Sequence, residues 1–262
     1  MFTRVDSISD LGMIEAFVKD DYFNCPFLYA NLIKYGKNNE HTMVFAFHKD
    51  NSIVATAFMY YECLHVYFRD TFADFYEVEA LVNELNPRTM FFPSYANKRI
   101  PSFNKYNNKE VLVMAPKCFQ DIDITMVKNA EMSDIPRIAE FMCTEWADRY
   151  ESPNALCEQI QERMKDNYGR TKYIEDNGKI VACVSSYAEL NDFAICGGLL
   201  VSDSQRGKKL GSVMLKSIYQ ELENEGKQTC GIIVEDYSRV FHEKNGFAIV
   251  GKILQYNREV LI

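Results

Sequence analysis

Residues 199–212 read LLVSDSQRGKKLGS, and this stretch decides the fold, because a strand end, a basic glycine-containing loop and a helix follow one another without a gap. Leu199, Leu200 and Val201 form an apolar strand end, and residues 202–205 a polar turn. Leu210, Met214, Ile218 and Leu222 then recur at fourfold spacing, as on one face of an amphipathic helix. The first amides of such a helix have no intrahelical acceptor and lie at its positive dipole end. An anion placed there gains hydrogen bonds and field together. Arg206, Lys208 and Lys209 add formal charge, and Gly207 and Gly211 put no Cβ in the way of close approach. The same residues also fit a surface helix with a solvated basic start. Neither GxxxxGK followed by Ser or Thr nor GxGxxG occurs in the chain, which excludes a P-loop and a dinucleotide-binding turn.

Downstream, QTCGIIVE (residues 228–235) reads as a β-branched strand, and SRVFHEKNGFAIVGKI (238–253) as a short helix, a glycine stop and another strand. In element order, in the RGKKLG loop and in the FHEKNGF run that starts at Phe241, residues 124–262 resemble the GNAT superfamily of acyl-CoA-dependent N-acyltransferases. Arg206 and Gly211 match the ends of the family pattern R/QxxGxG/A, while Lys209 stands where its first glycine usually falls. The resemblance implies acetyl-CoA as cofactor, with its pyrophosphate held by Gln205, Arg206, Gly207, Lys208, Lys209, Leu210, Gly211 and Ser212. It further implies that the backbone of Leu199, Leu200 and Val201 polarises the thioester carbonyl, in the gap where that strand splays from the next. Ser238 and Phe241 join the cofactor set on the same ground. The family's usual general acid is a tyrosine, and its position is held here by His242, which could donate a proton as imidazolium or simply sit on a helix surface. Glu235, just past Ile233 and Val234, is the candidate carboxylate for handling the amine, with Asp192 and Glu189 as alternatives. Asn154, Trp146, Tyr150 and Tyr168 fall where the family often shapes its acceptor pocket.

Composition narrows the class. A hydrophobic fraction of 47% over 262 residues supplies an ample core for one large domain or two ordinary ones. The apolar runs are strand-length, so no membrane span is expected. The start, MFTRVDSISDLG, has no apolar signal core, which makes the cytoplasm the expected compartment. Cysteines at 25, 63, 118, 143, 157, 183, 196 and 230 form no CxxC pair, which fits reduced thiols and no metal site. A formal net charge of −8 argues against nucleic acid as the main partner.

Along the first half the sequence predicts a strand at FTRVD, a helical stretch from Leu11 to about Gly36 and the strand TMVFAFHKD. A long strand or strand pair, SIVATAFMYYECLHVYF, follows, then a helix from about Phe72 stopped by Asn86 and Pro87, and the strands RTMFF and EVLVMA. Tyr22, Tyr60, Tyr61 and Tyr67 read as aromatic core or as the lining of an interdomain cleft. After a boundary at residues 115–121 come the strand DITMV, helices at 133–149 and 153–167 with Ser133 as a cap, and the strands TKYIED, KIVACVSSY and FAICGGLLV. The order of the first half echoes the second. At its equivalent of the anion loop, however, FRDTFADFYEVEALV has neither glycines nor a basic cluster. The expected fold is α/β (α+β): tandem GNAT-like domains, each a mixed, mainly antiparallel sheet flanked by helices. Residues 1–118 are expected to be degenerate and 119–262 to bind acetyl-CoA. The resemblance implies transfer of acetyl to a primary amine of a small molecule (an amino sugar, amine or amino acid) by direct attack. A non-catalytic acyl-CoA-binding module and a peptide N-acetyltransferase are the alternatives, and the oligomeric state is left open.

Overall fold

The computed structural model describes residues 1–36, 41–147 and 149–258. The chain divides into two compact units, and the division is not a single cut. The first comprises Met1–Val113, Ile233–Asp236 and Ile249–Ile262, and the second Met114–Ile232 and Tyr237–Ala248.

The first unit opens with β1 (Thr3–Arg4), α1 (Ile8–Lys19) and α2 (Pro26–Tyr35). The helical stretch expected from Leu11 to about Gly36 is two helices, the first starting at Ile8. A 3₁₀ turn over Tyr22–Asn24 separates them, and Pro26, which has no N–H to leave unpaired, starts the second. Strands β2 (Thr42–Lys49), β3 (Ser52–Tyr60) and β4 (Cys63–Phe68) form an antiparallel meander. Helix α3 (Phe75–Leu85) ends on Asn86 in the left-handed conformation, and β5 (Thr89–Pro93) returns parallel to β4. β6 (Tyr106–Pro116) completes the sequence-contiguous elements of this unit.

The second unit repeats that plan. It comprises β7 (Lys128–Asn129), α4 (Ile135–Glu145), α5 (Pro153–Lys165), β8 (Thr171–Asp176), β9 (Lys179–Glu189), β10 (Phe193–Val201), α6 (Leu210–Asn224), β11 (Gln228–Ile233) and α7 (Asp236–Lys244). β8, β9 and β10 are antiparallel neighbours, and β11 returns parallel to β10 after α6. The last strand, β12 (Phe247–Arg258), pairs antiparallel with β5 from Ile253↔Pro93 to Asn257↔Thr89, which is why residues beyond Ile249 group with the first unit. Two local expectations are corrected. DITMV is not a strand, because Asp123 accepts from the amide and hydroxyl of Thr125 and folds the segment into a turn. Ser133 is not the cap of α4: Asp134 holds that position, with its carboxylate turned back to the Glu131 amide at 3.0 Å. Ser152 does cap α5, accepting from the Ala155 amide at 3.1 Å.

The core of the first unit includes Phe45, Phe47, Leu64, Phe68, Phe75, Val78, Met90 and Phe92, with Phe72 among them. Phe72 lies in the β4–α3 connection, the counterpart of the loop between β10 and α6. Its ring stacks on Phe68 at 5.2 Å and meets Phe75 and Phe47 edge-on at 5.3 and 5.6 Å. Arg99 donates to the carbonyls of Asp70 and Phe72 across the same connection. At the counterpart of the basic loop, the first unit thus has a cluster of packed rings with a guanidinium bonded across it.

Candidate functional site

The parallel register of β10 and β11 runs from Phe193↔Gln228 to Cys196↔Gly231. Beyond Cys196 lies a bulge: on β9, Gly197 pairs with Ser185, but the next matched pair is Leu200 with Cys183. Gly198 sits in it at φ +63°, a conformation that favours glycine. The splay expected between these two strands is thus built from a glycine bulge and a ladder that stops. Leu199, Leu200 and Val201 lie on the segment past that point, and Leu200 is buried.

The connection from β10 turns through a 3₁₀ segment, Asp203–Gln205, and enters α6 at Leu210. Gly207 has φ +83° with open space where a Cβ would stand, so it is there for its backbone angle. Lys209 adopts φ +63° and ψ 10°, the left-handed region. The departure from the family pattern therefore changes the side chain while the backbone takes the turn a glycine would take, at a cost of about 1–2 kcal/mol. None of the N–H groups of residues 207–212 donates to an acceptor among the described residues. The first backbone bond of α6 is Val213 to the Lys209 carbonyl at 3.1 Å, and no side chain caps the helix. Around this row of free donors, Arg206 pairs with Asp203 at 2.7 Å, Lys208 donates to Gln205 at 2.6 Å, and Arg206, Lys208 and Lys209 are all exposed. The donors suit a diphosphate: consecutive amides, a helix start and exposed cations beside them.

Gly211 serves a different purpose. A Cβ there would come within 3.0 Å of the Phe241 ring, so the missing side chain lets α7 pack on the first turn of α6. Ser238 lies one turn earlier on α7, with its hydroxyl 3.4 Å from Nδ1 of His242.

His242 is buried at 5% exposure, between the edges of Phe241 and Phe247 at 5.5 and 5.3 Å. Its Nδ1–H donates to the Ser238 carbonyl at 2.7 Å. Burial lowers its pKa from the usual value, against the smaller opposing pull of that carbonyl. Buried between two rings and with its Nδ1–H committed to that carbonyl, His242 is poorly placed to act as an imidazolium acid. Glu235 is exposed, in the segment Ile233–Asp236 that groups with the first unit. Asp192 is exposed at the β9–β10 turn, where its carbonyl accepts from the Gln228 amide at 2.9 Å.

Glu189 is 8% exposed and accepts from Ser186 at 2.5 Å, from Arg170 at 2.7 and 2.8 Å and from Lys227 at 3.1 Å. Burial pushes its pKa up, but the hydrogen bonds from Arg170 and Ser186 outweigh this and hold it below the usual carboxylate range. A carboxylate so fully engaged is a structural anchor and a poor base.

One group escaped sequence reading. Tyr187 of β9 lies against the bulge: a Cβ on Gly197 would meet its ring at 2.5 Å, and one on Gly198 its hydroxyl at 2.8 Å. The Tyr150 hydroxyl is hydrogen-bonded to it, and burial raises the pKa of both phenols. Trp146 lies beside Tyr150 at 6.3 Å, Tyr168 is buried and Asn154 is exposed. Of the four residues expected at an acceptor pocket, Trp146 and Tyr150 therefore gather with Tyr187 at the bulge. In sequence Tyr187 is one alternating strand residue among several, and only the glycine pair in FAICGGLLV marked the place it covers.

Residues 135–247 match the model of the acetyltransferase (GNAT) family. No curated protein matches the sequence. Among solved structures, the chain resembles a GCN5-related N-acetyltransferase from Sphaerobacter thermophilus at TM-score 0.68 and 14% identity, over 98% of this chain and 95% of that one. A GNAT-family acetyltransferase from Colwellia psychrerythraea gives 0.66 and 14%, over 99% and 100%. A tandem GNAT protein from the clavulanic acid biosynthesis pathway gives 0.59 and 9%, over 98% and 97%. At these identities the likeness is one of fold. It bears out the mixed, mainly antiparallel GNAT architecture, and a tandem protein stands among the matches. No helix among the described residues is long and apolar enough to cross a membrane.

Proposed function

We propose that the second domain, taken as residues 119–262, binds acetyl-CoA on residues 207–212 and supports transfer of the acetyl group to a primary amine of a small molecule. The first, residues 1–118, is read as a degenerate GNAT-like domain without a cofactor loop. The observation that carries this reading is the row of unpartnered amides at the start of α6. When bound there, acetyl-CoA supplies an activated acyl group. The chain's own part is to hold the diphosphate on the amides of residues 207–212 and to place Gln205, Arg206, Lys208 and Lys209 around its charge. The backbone of Leu199, Leu200 and Val201, which lies past the end of the β10–β11 ladder while Leu200 and Val201 still pair with β9, is assigned to the thioester carbonyl, and Phe241 and Ser238 to the wall formed by α7. Direct attack by the amine needs no nucleophilic side chain. The cytoplasm is the setting this reading assigns.

Thiol release from acetyl-CoA, measured across amines, amino sugars, amino acids and peptides, tests the reading. Turnover of a small amine is the expected result, and acetyl-CoA binding without turnover of any acceptor would overturn the transferase assignment. His242 has no proton-transfer role in this scheme. Its substitution His242→Phe, which keeps an aromatic ring between Phe241 and Phe247, is expected to leave kcat within about threefold and its pH profile unchanged from pH 6 to 8. A general acid would instead lose about 100-fold or more.

A further inference from the structure

The Tyr187 hydroxyl stands at the stretch of β10 that neither neighbouring strand holds. Pairing with β11 ends at Cys196, and pairing with β9 passes from Gly197 directly to Leu200, so Gly198 and Leu199 are matched on neither side. A Cβ on Gly198 would stand 2.8 Å from the Tyr187 hydroxyl oxygen, and one on Gly197 2.5 Å from the ring. The missing side chains therefore let a phenol lie directly on the bulge. Arg163 lies over the same ring at 5.1 Å, which helps to fix it, and Tyr187 remains partly exposed, within reach of a ligand. Its hydroxyl shares a hydrogen bond with that of Tyr150. Two hydroxyls joined by one hydrogen bond use one of their two protons, so one O–H of the pair is left to donate. Burial raises the pKa of both phenols, which keeps that proton in place. The proposed chemistry puts the thioester carbonyl on the backbone just past this bulge. Negative charge gathers on that oxygen during acyl transfer, and a donor already in place there is worth more than one that must reorient.

We propose that the Tyr187 hydroxyl donates a hydrogen bond to the thioester carbonyl oxygen, beside the backbone of Leu199, Leu200 and Val201, with Tyr150 donating to Tyr187 in turn. The proposal rests on the acetyltransferase reading and adds a side chain to it. In the reaction the amine nitrogen forms a bond to the acetyl carbon, and the carbonyl π pair moves onto oxygen and returns. The carbon–sulfur bond breaks with its electron pair leaving on sulfur, and the amine loses one proton while the thiolate gains one. The phenol gives up no proton, so a raised pKa is no obstacle to its part. Tyr187 is thus a catalytic residue, and Tyr150 a positioning residue that acts through it.

Infrared spectroscopy of the full-length protein with acetyl-CoA carrying ¹³C at the carbonyl tests the contact without any acceptor. Binding is expected to move the thioester carbonyl band to lower frequency. Tyr187→Phe, which keeps a ring on the two glycines, is expected to return at least half of that shift. Its affinity for acetyl-CoA should fall about three- to tenfold, the worth of one neutral hydrogen bond, while that for S-ethyl-CoA, which has no carbonyl, stays within about twofold. With an accepted amine, kcat should fall about 100-fold and KM for the amine change by less than about threefold. Tyr150→Phe is expected to return a smaller part of the band shift, and serves as the second variant if Tyr187→Phe does not fold. A band at the same frequency in the wild type and both variants would overturn the proposal, even in a protein that turns over. A band that depends on Tyr187 in a protein that acetylates no amine would sustain the contact and sink the transferase. Failure of acetyl-CoA to bind would sink both.

Discussion

Replacing Gly207 with proline is expected to weaken acetyl-CoA binding by about 100-fold or more while leaving the fold intact. Gly207 holds φ at +83°, whereas proline fixes φ near −65°, so the loop cannot keep its path. The substitution also deletes one of the free N–H donors. A hydrogen bond to a charged group is worth about 1.5–3 kcal/mol, and every 1.4 kcal/mol is tenfold in affinity. One lost donor and the displacement of Lys208 and Lys209 beside it together reach that range. The loss of stability should stay near about 1 kcal/mol, the cost of proline at an incompatible φ, because residues 206–209 are exposed and nothing lies within 4 Å of where a Cβ on Gly207 would stand. Calorimetric titration with acetyl-CoA, paired with a melting curve, checks both halves. A dissociation constant within twofold of the wild type would show that the cofactor binds elsewhere.

Glu189→Ala is expected to destabilise the second unit by about 3 kcal/mol or more, because it leaves Arg170 and Lys227 without a shared, buried counter-charge. Arg170 retains Glu221 and Glu225, each at 2.6 Å, which holds the loss near the lower end of the range for a broken buried pair. The pH dependence has a definite sign. The folded-state pKa of Glu189 lies below the unfolded value, so its contribution is present above the ordinary carboxylate pKa of about 4.3 and is lost as pH falls through the folded value. Urea unfolding at pH 7 and at pH 4 should therefore show a smaller gap between wild type and variant at the lower pH. An unchanged midpoint, with activity alone abolished, would instead return Glu189 to the chemistry.

The particular residues show which parts of this molecule were legible in sequence. The loop and α6 were readable because their signals are local: a glycine that needs positive φ, adjacent cations, and apolar residues at fourfold spacing. Lys209 shows how far such a pattern can bend, since the backbone takes the left-handed turn even with a side chain attached. The swap of β12 onto β5 had no local signature, because strand residues carry no label for the partner they will pair with. His242 was legible as a position and illegible as a role. Its burial between two aromatic rings and its bond to the Ser238 carbonyl exist only once α7 has packed. Tyr187 lies ten residues from Gly197 in sequence, and only the β9–β10 pairing lays its ring across the glycine bulge. Phe72 carried half of its meaning in sequence, as a missing glycine loop, and the other half in the rings that fill the space.

The amide resonances of residues 207–212 test the central claim most directly. In a ¹⁵N-labelled sample titrated with acetyl-CoA, these amides are expected to shift together and downfield, as donors newly engaged by a diphosphate, ahead of any response in the first unit. Saturable binding that moves other amides and leaves residues 207–212 in place would contradict the assignment of this loop as the cofactor site.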